Sequence, residues 1–298
     1  MSYRILLPIL LWTAFSATTV RGQRVKNEFF VLHNAIRGDS TYRTFDQQVK
    51  LIQSLGFDGV EINQIDSFEG MKAALDKYRF RGSYFYFKIR LEEPHLDPRL
   101  PGAIQALKGS GTVLAPYVVS DTKKFAPSTH DADTMVVRLL RELSDLARPA
   151  GLSIALYPHI FFYVERTDHA LELVRKAARP NVGVSFNLPH WLATTPKAAR
   201  AGLFDHLRTM KPYLKLVTVC GASDEDAPST AAMWDVYIQP LGRGTFDTFG
   251  LLRFLTRDLG YKGAIGVQCY NIRGDKPELL RNTIAVWRQY RQKLDQTD

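Results

Sequence analysis

The feature that most constrains the fold is an alternation, repeated eight times, of short apolar runs with segments of helical periodicity. The short runs indicate β-strands and the other segments indicate α-helices. Strands are predicted at residues 29–34, 59–63, 83–89, 113–119, 152–157, 182–187, 214–220 and 264–269. Helices are predicted at or around residues 45–55, 71–78, 104–107, 133–147, 167–178, 196–210, 247–259 and 277–293.

Strands that alternate with helices indicate a parallel sheet covered by helices. The strands are apolar without strict alternation, as expected of a sheet buried on both faces. Eight units of this kind favour a closed (β/α)8 TIM barrel, an α/β fold, over an open doubly wound sheet. Residues 34–37 also lack the glycine-rich turn of a dinucleotide-binding sheet. Because no linker-like stretch divides residues 23–298, we predict a single domain there.

Residues 1–22 have the pattern of a signal peptide. Arg4 precedes an apolar run at residues 5–15, and small residues follow it. The run is shorter than the roughly 20 residues needed to cross a bilayer. We therefore expect an exported protein, periplasmic or secreted, with no stable membrane insertion once the leader is removed. An uncleaved anchor and a buried first helix are the alternatives.

The charge and the cysteines constrain partners and redox state. The net charge is +9, but the basic residues are dispersed over predicted helices, so no nucleic-acid partner is expected. Cys220 and Cys269 each end a predicted strand. They could form one disulfide in an oxidising compartment if those strands are neighbours, or they could be two free buried thiols.

Polar residues at the C-terminal ends of the predicted strands define a candidate site, because active sites of such barrels form there. Several aromatic residues are predicted near the C-terminal ends of the same strands. They suit a small carbohydrate substrate, since aromatic faces cover the C–H face of a sugar. The predicted catalytic residues are His159, His190, Glu61 and Lys88. The predicted substrate-binding residues are Asn34, Asn63, Tyr86, Tyr157, Asn187, Trp191 and Gln268.

Several motifs resemble those of the xylose-isomerase-like barrel superfamily of sugar phosphate isomerases and epimerases, and of an exported branch within it. The resemblance covers the predicted mature chain. It rests on Gly-Phe-Asp-Gly-Val-Glu-Ile at residues 56–62, Tyr-Pro-His at 157–159, Phe-Asn-Leu-Pro-His at 186–190, Gly-Arg-Gly-Thr-Phe-Asp at 242–247 and Gly-Val-Gln at 266–268. Family members hold a divalent metal with a Glu, an Asp, a His and a second Glu, and the two Glu residues move a proton beside a carbonyl.

This chain departs from the family pattern at all four metal-binding positions. Tyr157, Asn187, Thr218 and Gln268 stand where the resemblance places the Glu, Asp, His and second Glu. Hard divalent cations prefer charged oxygen ligands, so no metal ligand is assigned and no cofactor is predicted with assurance. A divalent transition metal held by His159, His190 and Glu61 is left open.

Three functional hypotheses follow. The first is an exported carbohydrate-active enzyme of the isomerase and epimerase lineage. It would abstract a proton alpha to a carbonyl of a sugar or keto-sugar, as an isomerase, epimerase or lyase. The second is a non-catalytic carbohydrate-binding barrel that has lost the family metal site. The third, ranked last, is a phosphodiesterase or nuclease, because only fragments of the necessary multi-metal cluster are present.

Overall fold

The computed structural model describes residues 24–296, so the predicted leader lies outside the described residues. Eight parallel strands form a closed barrel in which each strand pairs with the next and β8 pairs with β1. The strands are β1 (Phe29–Val31), β2 (Gly59–Asn63), β3 (Gly82–Arg90), β4 (Val113–Val119), β5 (Ser153–Leu156), β6 (Val182–Asn187), β7 (Leu214–Val219) and β8 (Ile265–Val267). The predicted (β/α)8 TIM barrel is confirmed.

Helices follow the strands and surround the barrel. They are α1 (Phe45–Leu55), α2 (Phe68–Tyr78), α3 (Leu100–Ala106), α4 (Asp133–Ala147), α5 (Thr167–Ala177), α6 (Leu188–Thr194), α7 (Leu203–Met210), α8 (Met233–Tyr237), α9 (Thr248–Arg253) and α10 (Lys276–Gln296). None of the helices in residues 24–296 is long and apolar enough to cross a membrane.

Alternate side chains along the strands fill two separate cores. On β3, Tyr84 points into the barrel, where its ring lies 5.3 Å from that of Phe30. Phe85 and Phe87 belong to the outer core between strands and helices. The inner core demands a glycine at position 266, because a Cβ there would lie 2.2 Å from the Phe30 ring. Packing inside the barrel therefore closes it where β8 meets β1.

Stacking on the outer face ties the last helix to the first strand. Phe29 of β1 stacks on Trp287 of α10 with ring centroids 4.2 Å apart, and both side chains are buried. Burying a large apolar side chain of this kind stabilises a fold by about 1.5–3 kcal/mol. The contact fixes α10 across the seam between β1 and β8.

Some helix boundaries differ from those predicted from the pattern of apolar residues, because local hydrogen bonds determine where a helix begins. Helix α6 was not predicted, yet it begins directly after β6 because the Asn187 side chain accepts from the His190 backbone N–H at 3.4 Å. The predicted helix at 196–210 is a 3-10 turn at Lys197–Gly202 followed by α7. Both cysteines are free and buried, as one of the two alternatives expected.

Candidate active site at the barrel mouth

A cavity of about 330 Å³ opens at the C-terminal ends of the strands, and we call it the candidate cavity. Its volume lies within the range of about 300–1,000 Å³ that small-molecule sites occupy. It brings together many of the residues predicted from strand ends. The predicted residues that line it are Asn34, Glu61, Asn63, Tyr86, Tyr157, His159, His190 and Gln268.

Two histidines form one wall of the candidate cavity. The rings of His159 and His190 lie 4.0 Å apart between centroids. His159 Nδ1 is 2.7 Å from the Ile160 carbonyl oxygen, which can only accept, so Nδ1 carries the ring proton and Nε2 keeps a free lone pair. Burial lowers the pKa of His159 to about 4. At neutral pH His159 is therefore an uncharged imidazole that can take a proton.

The pKa of His190 is lowered in the same way as the pKa of His159. Burial lowers the pKa of His190 well below its ordinary value, and the nearby His159 lowers it further. Its ring meets Trp234 edge-on at 5.4 Å. The pair thus holds two neutral rings side by side, because a charge on one disfavours a charge on the other.

Glu61 approaches the cavity from β2 as a buried, fully hydrogen-bonded carboxyl group. It faces Tyr84 across the β2–β3 pairing and accepts from the Tyr84 hydroxyl at 2.7 Å. It also accepts from Asn63 Nδ2 at 3.0 Å and from the His33 backbone N–H at 2.8 Å. Burial raises the pKa of Glu61, although these three hydrogen bonds oppose the shift.

Of the two amide side chains Gln268 and Asn187, Gln268 lines the candidate cavity. Gln268 Oε1 accepts from Asn34 Nδ2 and from the backbone N–H groups of Cys269 and Tyr270 at 3.0 and 3.1 Å. Its amide NH₂ is then the polar group left to meet a ligand. Asn187 lies behind the wall, fully buried, and donates from Nδ2 to the Tyr157 hydroxyl.

The residues at the family's four metal-binding positions do not fit a hard divalent cation. Tyr157 and Asn187 are hydrogen-bonded to each other, and Gln268 Oε1 already accepts three N–H groups. Burial raises the pKa of Tyr157 far above its ordinary value, so its hydroxyl stays protonated. With Thr218 as the fourth member, the donor set is neutral throughout, whereas Mg²⁺ and Ca²⁺ need charged oxygens.

A group suited to a transition metal lies elsewhere in the described chain. Among residues 24–296, the His, Cys, Asp and Glu side chains whose ligand atoms gather within 4.8 Å are those of His130, Asp133 and His169. Asp133 begins α4, His130 lies in the loop that precedes α4, and His169 lies on α5. These positions are outside the candidate cavity. The open prediction of a metal held by His159, His190 and Glu61 is therefore not matched by a cluster at those residues.

The group around Asp133 is a dense hydrogen-bonded network. His130 and His169 lie 2.9 and 2.8 Å from its two oxygens, and Lys176 lies 3.2 Å away. Tyr163 donates to the same carboxylate at 3.0 Å. Burial alone would raise the pKa of Asp133, but these donors outweigh it and hold the pKa at about 2. The network joins the start of α4 to α5.

Three predicted residues do not line the candidate cavity: Asn187, which lies behind its wall, Lys88 and Trp191. Lys88 points along β3 into a neighbouring cavity and pairs with Asp121 at 3.3 Å. Trp191 packs behind β6, with its ring 6.2 Å from that of Phe186, and is almost fully buried. Strand β3 extends far enough to carry Lys88 past the candidate cavity. Helix α6 turns Trp191 away from the same cavity.

The structure also adds cavity residues that strand-end reasoning missed. Arg37 lines the cavity from the loop after β1 and donates to Asn63 Oδ1 at 3.1 Å. Trp234 lines it from α8 and Tyr270 from the segment after β8, with ring centroids 6.0 Å apart. The buried Arg200 helps to hold α8 and the segment before it, because it bonds Asp224, Asp226 and the Tyr237 hydroxyl. No strand-end pattern signals these residues.

The family model described as xylose isomerase-like TIM barrel matches residues 49–290, which include most strands and nearly all of the cavity residues. The chain belongs to this family. Membership of the xylose isomerase-like TIM barrel family confirms the resemblance seen in the motifs. No curated protein sequence matches the chain.

Solved structures with the same fold include several sugar epimerases. The IOLI protein with a bound zinc atom superposes with a TM-score of 0.69 at 14% identity, covering 89% of this chain and 98% of that one. The 3-keto-D-glucoside 4-epimerase YcjR from E. coli gives 0.65 at 17%, covering 89% and 100%. D-allulose 3-epimerase from Methylomonas sp. in complex with D-allulose gives 0.66 at 16%, covering 90% and 98%. At these identities the likeness establishes the fold.

Proposed function

We propose that this xylose isomerase-like barrel is a sugar isomerase or epimerase that removes a proton from the carbon next to a carbonyl. One observation carries the proposal. The neutral His159 has its Nδ1 proton committed to the Ile160 carbonyl, which leaves Nε2 free to act as a base in a cavity of ligand size. A positioned base of this kind contributes about 10²–10⁴-fold to a rate.

The first half of the reaction breaks a C–H bond. The proton passes to His159 Nε2, and the electron pair of that bond moves toward the carbonyl to give an enolate oxygen. The Arg37 guanidinium and the Gln268 amide NH₂ both line the cavity and can donate to that oxygen. Lys88, which was predicted to be catalytic, lies in the neighbouring cavity and takes no part in this step.

The second half returns a proton to carbon. Glu61 lies on β2, and His159 follows β5, which is three strands further around the barrel. The two side chains therefore reach a bound sugar from different sides. A carboxyl whose pKa is raised by burial is suited to hold and deliver a proton. Delivery to the same carbon from the other face, with return of the enolate to a carbonyl, gives epimerisation. Delivery to the former carbonyl carbon gives isomerisation, in which the enolate oxygen gains a proton and the hydroxyl on the carbon that lost its hydrogen gives up its proton to become the new carbonyl. In either case Glu61 ends ionised and His159 ends protonated, and proton exchange with solvent restores both.

Aromatic and amide groups around the cavity suit a sugar. Tyr86 stacks on Tyr117 at 4.4 Å and meets Tyr157 edge-on at 5.0 Å. Trp234 and Tyr270 add rings at the rim, while Asn34 and Asn63 offer amide groups for hydroxyls. The structures with the same fold include epimerases of D-allulose and of a 3-keto-D-glucoside, which supports a ketose or keto-sugar as substrate.

Incubation in D₂O tests the proposal. The protein is mixed with ketoses, aldoses and 3-keto-glycosides, and deuterium in the recovered sugars is read by NMR and mass spectrometry. Deuterium at a carbon next to the carbonyl of at least one sugar is expected. Absence of exchange across the panel, with sugar binding still measurable by calorimetry, would favour the non-catalytic carbohydrate-binding barrel instead.

Export is a separate part of the proposal and rests on residues 1–22 alone. Expression in a Gram-negative host followed by fractionation and intact-mass measurement tests it. Loss of roughly the first 16–22 residues from protein recovered outside the cytoplasm is the expected result, whereas a full-length cytoplasmic chain would contradict it.

A further inference from the structure

Phe161 stands where three cavities meet at the barrel mouth. It lines the candidate cavity, a second cavity of about 510 Å³ beside β4, and a third of about 500 Å³ beside α6. Its side chain is 52% exposed. Its φ of 73° lies in the left-handed region that bulky residues seldom adopt. A strained and exposed aromatic residue at a junction of cavities is suited to contact a ligand.

The loop at residues 159–165 holds Phe161 in this position. The Phe161 backbone N–H donates to Glu165 Oε2 at 3.0 Å, and Ser128 donates to Glu165 Oε1 at 3.1 Å. The loop is closed further by the His159 N–H, which donates to the Val164 carbonyl at 3.0 Å. The same short loop therefore fixes both the proposed base and the exposed ring.

The cavity beside β4, which we call the side cavity, has the surfaces that a sugar ring needs. Phe162 forms its inner wall, stacked at 5.1 Å on Tyr117 and at 4.0 Å on the base His159. Lys88 and Asp121 form an ion pair at its edge, and Arg90 also bonds Asp121 at 3.0 Å. Aromatic faces cover C–H groups, while a half-exposed ion pair offers donors and acceptors for hydroxyls.

The cavity beside α6 is less suited to a sugar. Apart from Phe161, its aromatic residue is Tyr237, which is nearly fully buried and whose hydroxyl accepts from both Arg200 and the Ala227 N–H. It is lined otherwise by short hydroxyl and apolar side chains such as Thr230, and by Asp226, whose Oδ1 already accepts from Arg200 and from the Lys197 N–H. It provides a matched control surface on the other side of Phe161.

We propose that the side cavity binds a second sugar ring, so that the substrate is a glycoside of at least two rings. The reacting ring occupies the candidate cavity beside His159, and the second ring lies against Phe161 and Phe162 with its hydroxyls on Lys88 and Asp121. Lys88 is then a specificity-determining residue rather than a catalytic one. This inference rests on the proposed function, because it assigns the reacting ring to the same cavity.

Calorimetry with paired ligands tests the second-ring site without requiring turnover. Cellobiose, maltose and lactose are each titrated against the corresponding monosaccharide, and their 3-keto forms are compared in the same way. At least one two-ring ligand is expected to bind roughly tenfold or more tightly than its single ring, the equivalent of one or two hydrogen bonds. Equal affinity for one and two rings throughout the panel would overturn the inference.

Variants locate the second ring. Lys88→Ala and Phe161→Ala should each reduce the preference for two rings by roughly five- to tenfold, while Thr230→Ala in the α6 cavity leaves it unchanged. Circular dichroism and thermal melting establish that each variant folds. A preference that is sensitive to Thr230→Ala and insensitive to Lys88→Ala would place the second ring elsewhere. Two-ring binding without deuterium exchange would contradict the proposed function and leave the second-ring site standing.

Discussion

The imidazole rings of His159 and His190 lie 4.0 Å apart at one wall of the candidate cavity, tilted by 42°. Burial lowers the pKa of both, and each disfavours a charge on the other. The pair therefore stays neutral where an exposed histidine pair would begin to take up protons. This relationship keeps the Nε2 lone pair of His159 unprotonated at neutral pH and has consequences that separate variants can test.

Removal of the base should affect turnover and spare binding. His159→Gln is expected to lower kcat by about 10²–10⁴-fold, because the amide cannot accept the substrate proton. Calorimetric affinity for the sugar should change little. His95→Gln, which alters a histidine outside the candidate cavity, is the matched control and should retain the wild-type kcat. Retention of exchange by His159→Gln would assign the base to another residue.

The stability of the fold should fall as the pH drops below about 6.5. The pKa of His159 is about 4 in the folded chain and about 6.5 when unfolded, so the unfolded chain binds more protons between these values. Stability is thus fully present above pH 6.5 and is lost as the pH falls toward 4. His159 alone should contribute about 1–2 kcal/mol of loss between pH 7 and pH 5.

Urea unfolding at a series of pH values measures this dependence. His33 and His190, whose pKa values are also lowered mainly by burial, should add to the slope. The His159→Gln variant should show a shallower dependence than the wild type. A slope that is unchanged by the substitution would mean that His159 titrates normally in the folded protein.

Restoring carboxylates should restore affinity for a divalent metal. The double variant Asn187→Asp and Gln268→Glu supplies two charged oxygens at family metal positions, and the three N–H donors to Gln268 Oε1 suit a carboxylate equally well. We expect a folded protein whose melting temperature rises with added Mn²⁺. Wild type and Gln105→Glu, an exposed amide-to-acid control on α3, keep the His130, Asp133 and His169 group as well and should show a clearly smaller rise than the double variant. A wild-type response as large as that of the double variant would contradict the neutral donor set.

The network around Asp133 should stabilise the fold without affecting the chemistry. Asp133→Asn removes the charge that His130, His169 and Lys176 share, and it should reduce the free energy of unfolding by roughly 1–3 kcal/mol. Asp131→Asn, on the exposed neighbouring position, is the control and should have little effect. Equal stability of the two variants in chemical denaturation would show that the network contributes nothing.

The barrel and the strand-end part of the site could be predicted from sequence, because both follow from the periodicity of apolar runs. Glu61, Tyr157 and Gln268 reach the cavity for this reason. Lys88 did not, since it lies two residues beyond Tyr86, which pairs with Asn63 at the end of β2, and its side chain therefore lies past the cavity. The register between neighbouring strands decides how far each strand end reaches, and local sequence does not specify it.

The cavity residues outside the strand ends could not be predicted, because their positions depend on contacts distant in sequence. Arg37 reaches the cavity by bonding Asn63 of the next strand. Trp234 is presented by α8, which Arg200 anchors through the Tyr237 hydroxyl. Helix α6 had a readable signal, an Asn followed by Pro two residues later, which is a common helix start.

The most direct test of the account is deuterium exchange before and after exhaustive removal of metals. The protein is treated with a strong chelator, its metal content is verified by elemental analysis, and exchange into the responsive sugar is measured in D₂O. An undiminished rate is expected, which His159→Gln lowers by about 10²–10⁴-fold, since the base is a neutral imidazole. Loss of exchange on chelation, with recovery on adding Mn²⁺ or Zn²⁺, would contradict it.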